Sequence, residues 1–315
     1  MGYALSCEEH APLDLVRYAQ AAEQAGFEFA LISDHFHPWI DRQGQSPFVW
    51  TVIGAIAHAT ARLRLGTGVT CPTIRCHPAI IAQAAATSSA MMPGRFFLGV
   101  GSGENLNEHI VGQGWPSAPV RQAMLEEAIE IIRLLWRGGE QSFSGKHFTL
   151  DHARLYTLPA QLPPLYVAAS GPQAAELAGR LGDGLITTHP DASVVEAFSS
   201  GGGRQKPSYG QVTVCWASDE AAARRTAYEW WPQAAVEGEL SQELPLPRHF
   251  EQAVATVREE DVAKSVVCGP DPRQHCDAIQ QFLDCGIEHV YVHQVGPDQT
   301  GFFEFYRQHV LPKFA

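Results

Sequence analysis

Eight short apolar runs alternate with eight longer helical patterns along this chain, and that alternation leaves it few possible folds. The runs, rich in β-branched and aromatic residues, fall at 2–6, 28–32, 63–69, 95–99, 165–169, 184–187, 212–216 and 289–293. Apolar residues at helical spacing occupy 12–26, 48–61, 78–91, 119–137, 172–181, 218–231, 271–285 and 300–312. A strand that always hands over to a helix builds parallel pairs through crossovers, and eight such units close into a (β/α)8 TIM barrel. An open doubly wound sheet is the alternative, but it usually uses fewer strands. The 315 residues are within the reach of one barrel, so a single domain over 1–315 is expected.

Two stretches exceed a minimal barrel. One, at about 138–164, carries Phe143-Ser-Gly-Lys-His-Phe148 and reads as a small hairpin. The other, at about 232–270, has prolines between Leu244 and Arg248 followed by a helical run. Insertions of that length in compact domains are commonly lids over a site. Ser199-Ser-Gly-Gly-Gly203 reads as a flexible turn, too short to separate domains.

The net charge of −12 argues against nucleic acid as a partner, since a phosphate backbone wants a basic face. A small anionic cofactor stays possible, because backbone amides at helix N-termini can hold it. The seven cysteines form no Cys-x-x-Cys pair and read as reduced thiols. Cys71 and Cys76 lie too awkwardly around Pro72 to suggest a disulfide. The fourteen histidines are dispersed without metal-ligand spacing, so no metal is expected. No apolar run is long enough to span a bilayer and no signal peptide is evident, so a cytoplasmic protein with no membrane partner is expected.

Chemistry gathers where the apolar runs end. Ser33-Asp34-His35-Phe36-His37-Pro38-Trp39 delivers an imidazole, a carboxylate and an indole to the end of the second strand, where barrels build their sites. The first strand leads into Ser6-Cys7-Glu8-Glu9-His10, and the third into Gly66-Thr-Gly-Val-Thr-Cys-Pro-Thr73. After the fourth comes Gly99-Val-Gly-Ser-Gly-Glu-Asn-Leu-Asn107, and after the fifth Ala168-Ala-Ser-Gly-Pro172. Glycines there let a flat ring or a phosphate approach the backbone, although each could equally be a tight turn. Gly99-x-Gly101-x-Gly103 lacks the dinucleotide spacing and is weak as a Rossmann signal. An imidazole beside a carboxylate suits proton abstraction from an alcohol, and an indole can pack on a heterocycle and exclude water. No nucleophile elbow or Cys–His pattern is present, so hydride transfer is favoured over hydrolysis. His77 and His109 read as packing residues, and Trp230-Trp231 as core or a subunit contact.

Together, Ser33-Asp-His-Phe-x-Pro-Trp39, Leu65-Gly-Thr-Gly-Val-Thr-Cys-Pro-Thr73, Phe97-Leu-Gly-Val-Gly-Ser-Gly-Glu-Asn-Leu-Asn107, Ala168-Ala-Ser-Gly-Pro172, Gly182-Asp-Gly184 and Gly296-Pro-Asp-Gln299 resemble the luciferase-like flavin and deazaflavin oxidoreductases. Nearly the whole chain is covered, and it looks most like the branch that includes coenzyme F420-dependent glucose-6-phosphate dehydrogenase. The resemblance implies a luciferase-like barrel with a cis peptide at Gly68–Val69 and coenzyme F420 as cofactor, with FMN as the alternative. Asp34, Gly68, Val69, Cys71, Gly103, Asn107, Ala169, Ser170 and Gly171 would surround the cofactor. His35 would take the proton of a substrate hydroxyl, Glu104 would serve the proton at the reduced ring, and Trp39 and Glu8 would line the substrate side. A homodimer is expected on the same ground.

The departures concern the substrate. By alignment, the positions where the phosphosugar enzymes carry cations hold Asp191, Gln252 and Ser265, with Lys264 adjoining one of them. A carboxylate in place of a cation repels a phosphate dianion. The expectation is therefore hydride exchange with the carbinol carbon of an unphosphorylated alcohol or polyol, a small molecule. An FMN-dependent monooxygenase and a non-catalytic flavin-binding protein are the alternatives.

Overall fold

The computed structural model describes residues 1–236 and 238–314. Its strands are β1 (Gly2–Leu5), β2 (Phe29–Ile32), β3 (Arg64–Thr67), β4 (Phe96–Val100), β5 (Gln141–Ser144), β6 (Thr149–Ala153), β7 (Leu165–Ala168), β8 (Gly184–Thr187), β9 (Ser208–Cys215), β10 (Val267–Cys268) and β11 (His289–Gln294). Eight of them run parallel in the order β11-β1-β2-β3-β4-β7-β8-β9, and β9 pairs with both β8 and β11 to close the (β/α)8 barrel. The remaining strands are accessory. β10 extends the sheet beside the C-terminal half of β9, and β5 and β6 make the antiparallel hairpin expected in the first insertion.

The strands read as continuous apolar runs because both of their faces are covered. Side chains alternate across a strand. Ala30 and Ile32 of β2 pack with the surrounding helices, while Phe29 and Leu31 join Phe97, Tyr166, Tyr209 and Tyr291 inside the barrel. Two glycines make room for the rings on the barrel floor. A Cβ on Gly2 would lie 2.2 Å from the Phe29 ring, and one on Gly66 would lie 1.9 Å from Phe97. Tyr209 stacks on Tyr166 and on His289, with centroids 5.0 and 4.7 Å apart. The Arg64 guanidinium sits 5.7 Å over Phe97. That plug fills the N-terminal end, so open space inside the barrel is left towards the C-terminal ends of the strands.

Local signals account for how strands and helices join. The helix Pro12–Ala25 begins on a proline, whose missing N–H costs nothing there. It ends at Gly26 with φ +103, whose N–H closes onto Ala22 O and turns the chain into β2.

Three sequence expectations shift in detail. Ser199–Gly203 runs on from the helix Ala192–Phe198 as a π-helical turn that breaks at Gly202, where φ is +105, and not as a free turn. Its glycines serve close packing, since a Cβ on Gly201 would lie 2.5 Å from Glu176 O and one on Gly179 2.3 Å from Phe198 O. β9 starts four residues before the expected 212, at Ser208. There Gly210 lies beneath Phe282, where a Cβ would be 2.4 Å from the ring, and this interrupts the apolar pattern. The last helix, expected at 300–312, is regular only over Gln299–Phe305. The second insertion folds as the short helices Leu240–Glu243, Pro247–Ala253 and Glu259–Val262. It is pinned over the barrel mouth by Phe250, which packs with Ile40, Leu106 and Trp39.

Candidate active site

A cavity of about 150 Å³ opens inside the C-terminal half of the barrel. Strand parity decides what lines it. Ala4 and Ser6 follow β1 upward, Leu31 and Ser33 follow β2, and Tyr291 and His293 follow β11, each pair two residues apart on the inward face. The loops after β1, β2 and β4 then add Glu8, His35, Trp39 and Glu104.

His35 Nε2 lies 3.2 Å from Glu8 Oε1 and 3.5 Å from Glu104 Oε2. Its Nδ1 faces His37 O at 3.3 Å. With its Nδ1–H donating to that carbonyl, the ring turns Nε2 towards the two carboxylates, which stabilise a proton taken up there. Glu8 is buried and held in place, because Ser6 and Ser33 donate to its Oε2 at 2.9 and 2.7 Å. Burial pushes its carboxyl up, but His35, Ser33, its own backbone amide and Ser6 outweigh that, leaving it below the usual carboxylate value. Glu104 is a third exposed. Asn107 donates to its Oε2 at 2.9 Å, and the Asn107 carbonyl accepts from the Phe36 and His37 amides at 2.9 and 3.2 Å. Asn107 therefore ties the β4 loop to the β2 loop. Trp39 packs against the His35 ring at 5.0 Å and against Phe250 at 5.2 Å. Gln43 accepts from the Trp39 amide at 2.8 Å and donates to Trp230 O at 3.0 Å.

The residues expected around a cofactor lie on the loops after β2, β3, β4 and β7, which are neighbouring strands of the barrel. Gly68 lines the cavity, and the Gly68–Val69 peptide is cis. Val69 packs so closely on β4 that a Cβ on Gly101 would lie 2.8 Å from its Cγ2. Gly103 has φ +82, and a Cβ there would lie 2.6 Å from Cys71 Sγ. Cys71 is buried against Thr73, and burial raises its thiol well above the usual value. Ala169 is buried, Ser170 is exposed, and Gly171 precedes the helix Pro172–Leu181 without a side-chain cap. Asp34 is buried beside this shelf, where its carboxylate accepts from Thr70 at 2.7 Å and pairs with Arg75 at 2.9 Å. Glu108 holds the other side of Arg75 at 3.5 Å. A surface with few Cβ atoms that ends at an uncapped helix N-terminus fits a flat ring carrying an anionic tail.

The structure also brings in residues that no motif announced. Gln211, Trp231, Tyr291 and His293 all line the cavity. Trp231 is thus neither plain core nor mere surface, and strand parity along β9 and β11 was the signal that could have found the others. His77 and His109 hold helix turns, His77 Nδ1 accepting from Ala79 N and His109 Nδ1 donating to Asn105 O. Among the described residues, none that lines the cavity is lysine or arginine. Asp191 caps the helix Ala192–Phe198, and Gln252 and Ser265 are exposed, so none of the three lines the cavity.

A model of the luciferase-like monooxygenase family matches residues 3–289. The chain belongs to that family. Relatives in it include an F420-dependent hydroxymycolic acid dehydrogenase of Mycobacterium tuberculosis, 40% identical over 99% of this chain and 88% of its own length. An F420-dependent glucose-6-phosphate dehydrogenase of Nakamurella multipartita is 36% identical over 99% of this chain and 95% of its own. Among solved luciferase-like barrels, an F420-dependent secondary alcohol dehydrogenase in complex with an F420-acetone adduct superposes with a TM-score of 0.91. It is 31% identical and covers 98% of this chain and 97% of its own.

Proposed function

We propose that this chain is an F420-dependent oxidoreductase that exchanges a hydride with the carbinol carbon of an unphosphorylated alcohol or polyol. F420-dependent oxidoreduction is common to the named relatives and the structural neighbour. The observation that supports the alcohol is the His35 Nε2 placed between Glu8 and Glu104 at the cavity wall.

Bound on the shelf of Gly68, Val69, Cys71, Gly103, Asn107, Ala169, Ser170 and Gly171, with Asp34 behind it, the deazaflavin would accept or supply the hydride. The protein's own groups handle the proton. A substrate hydroxyl seated at Nε2 gives up its proton to that nitrogen, and the proton is then shared with carboxylates 3.2 and 3.5 Å away. Glu8, buried and hydrogen-bonded, keeps its charge and orients the ring. Glu104, partly exposed, would supply the proton that the reduced ring takes up. Trp39 and the insertion behind it exclude water from the reacting carbon. The lack of a cationic lining and the presence of two carboxylates disfavour a phosphorylated substrate. Among described residues, no helix is long and apolar enough to cross a membrane. Assembly as a homodimer is part of this reading on family resemblance alone.

The first test is fluorescence titration with oxidised F420 and, separately, with FMN. Tighter F420 binding is expected, followed by loss of the oxidised deazaflavin absorbance when a secondary alcohol is added. Preference for FMN would move the chain to monooxygenase chemistry. His35→Ala should bind F420 nearly normally yet lose about 10²–10⁴-fold in turnover, as removal of a general base does. Near-native turnover would end that role for His35.

A further inference from the structure

His293 lines the same cavity from β11, the strand beside β1, and it is half of a second carboxylate–imidazole pair. Its Nε2 is 2.8 Å from Glu9 Oε2, and Glu9 Oε1 accepts from the Gly296 amide at 2.9 Å. The histidine is 3% exposed and lines the same cavity as His35. Its Nδ1 is buried and has no hydrogen-bond partner among the described residues. Buried polar atoms of folded proteins are nearly always paired. Nothing in the proton path through His35, Glu8 and Glu104 uses this nitrogen.

The tether decides what Nδ1 offers. Glu9 is a carboxylate acceptor, so Nε2 must carry the hydrogen, and a neutral ring then presents a lone pair at Nδ1. The gap is for a hydrogen-bond donor. Trp231 packs edge-on to the imidazole at 4.4 Å and lines the cavity beside it, and because Nδ1 is buried, a ligand reaches it only when a neighbouring side chain shifts.

We infer that the Glu9–His293 pair is a specificity subsite that accepts a hydrogen bond from a second hydroxyl of the substrate, which makes the substrate a diol or polyol. The inference rests on the alcohol reading above and names the substrate class within it. His35 receives the carbinol that is oxidised, while His293 binds a hydroxyl that is not. A site built to pair a hydroxyl discriminates against the analogue that lacks it.

Two measurements test it. In steady-state assays with F420, propane-1,2-diol should be favoured over propan-2-ol in kcat/KM. His293→Phe should shrink that preference about 10-fold, mainly through the KM for the diol, leaving propan-2-ol little changed. His293→Gln, which restores a polar group, should recover part of it. Equal losses on both alcohols would mean that His293 only supports the fold, and would overturn the subsite. The second measurement needs no turnover. In ¹⁵N-histidine spectra, the resonance absent from His293→Phe should shift when propane-1,2-diol is added and stay put with propan-2-ol. No shift with the diol overturns the subsite. A diol-specific shift without oxidation of either alcohol upholds the subsite and instead defeats the dehydrogenase reading.

Discussion

Glu8 is the carboxylate whose charge the His35 arrangement depends on most, because it is buried and cannot be replaced by solvent. Taking it out of water opposes ionisation, yet His35, two serine hydroxyls and its own amide reverse the balance and hold its carboxyl below the ordinary value. A group depressed in the folded state stabilises the fold fully above its unfolded pKa, and that contribution disappears as pH falls through the depressed value. The stability gap between the wild type and Glu8→Gln should therefore be widest near about pH 7. It should narrow on acidification to about pH 3, as read from urea midpoints. A gap that widened on acidification would mean that Glu8 is protonated in the native protein. Arg75 poses the opposite problem, a buried cation flanked by Asp34 at 2.9 Å and Glu108 at 3.5 Å. Burial works against its charge, and the two carboxylates more than offset that. Arg75→Met would leave both acids buried and uncompensated, and should cost about 3–5 kcal/mol in urea unfolding. Loss of less than about 1 kcal/mol would mean that water or a shifted side chain already screens the pair.

Strand ends and strand faces were not equally legible. The loops after β1, β2, β3 and β4 carry their chemistry in short contiguous runs, so His35, Trp39, Glu104 and Glu8 could be read from the sequence and are found together at one cavity. His293 and Gln211 carry theirs only through parity and closure. They face the cavity because Tyr291 and Tyr209 face the interior, and because β9 pairs with both of its neighbours. Trp231 required knowledge of where the second insertion folds back. The glycines of 199–203 were misread because close helix packing and a flexible turn call for the same residue. The β4 loop gives a sharper test of one glycine. Gly103 has φ +82, which costs about 1–2 kcal/mol for a residue with a Cβ, and that Cβ would also press on Cys71 Sγ. Gly103→Ala should lower the unfolding midpoint and weaken F420 binding. Adding Cys71→Ala should recover the part due to Sγ and leave the backbone part together with the contact to Glu108 Cγ at 3.0 Å. Full recovery would show that the left-handed conformation is not a constraint here.

At the level of the whole molecule, fold and charge bear on the substrate together. The barrel concentrates Glu8, Glu104 and Glu9 at one end of a chain whose net charge is −12, and among the described residues none that lines the cavity is lysine or arginine. A concave mouth with low-dielectric walls focuses that negative field on whatever enters. The plug of Tyr166, Tyr209, His289 and Arg64 closes the other end, so entry is past the Glu104 side and the insertion that carries Phe250. For a neutral alcohol this field is of little consequence. A phosphate dianion must be brought against it, and added salt should relieve the repulsion, since the Debye length falls from about 14 Å at 50 mM to about 4 Å at 500 mM. If glucose 6-phosphate is turned over at all, its KM should therefore fall as salt rises across that range, while the KM for a neutral diol stays flat. Initial rates of F420 reduction with both compounds at several salt concentrations decide the point. A KM for glucose 6-phosphate that rises with salt is the signature of an attractive cationic site. It would place lysine or arginine side chains at the mouth, which in turn would require the insertion to close over the cavity differently when that substrate is bound.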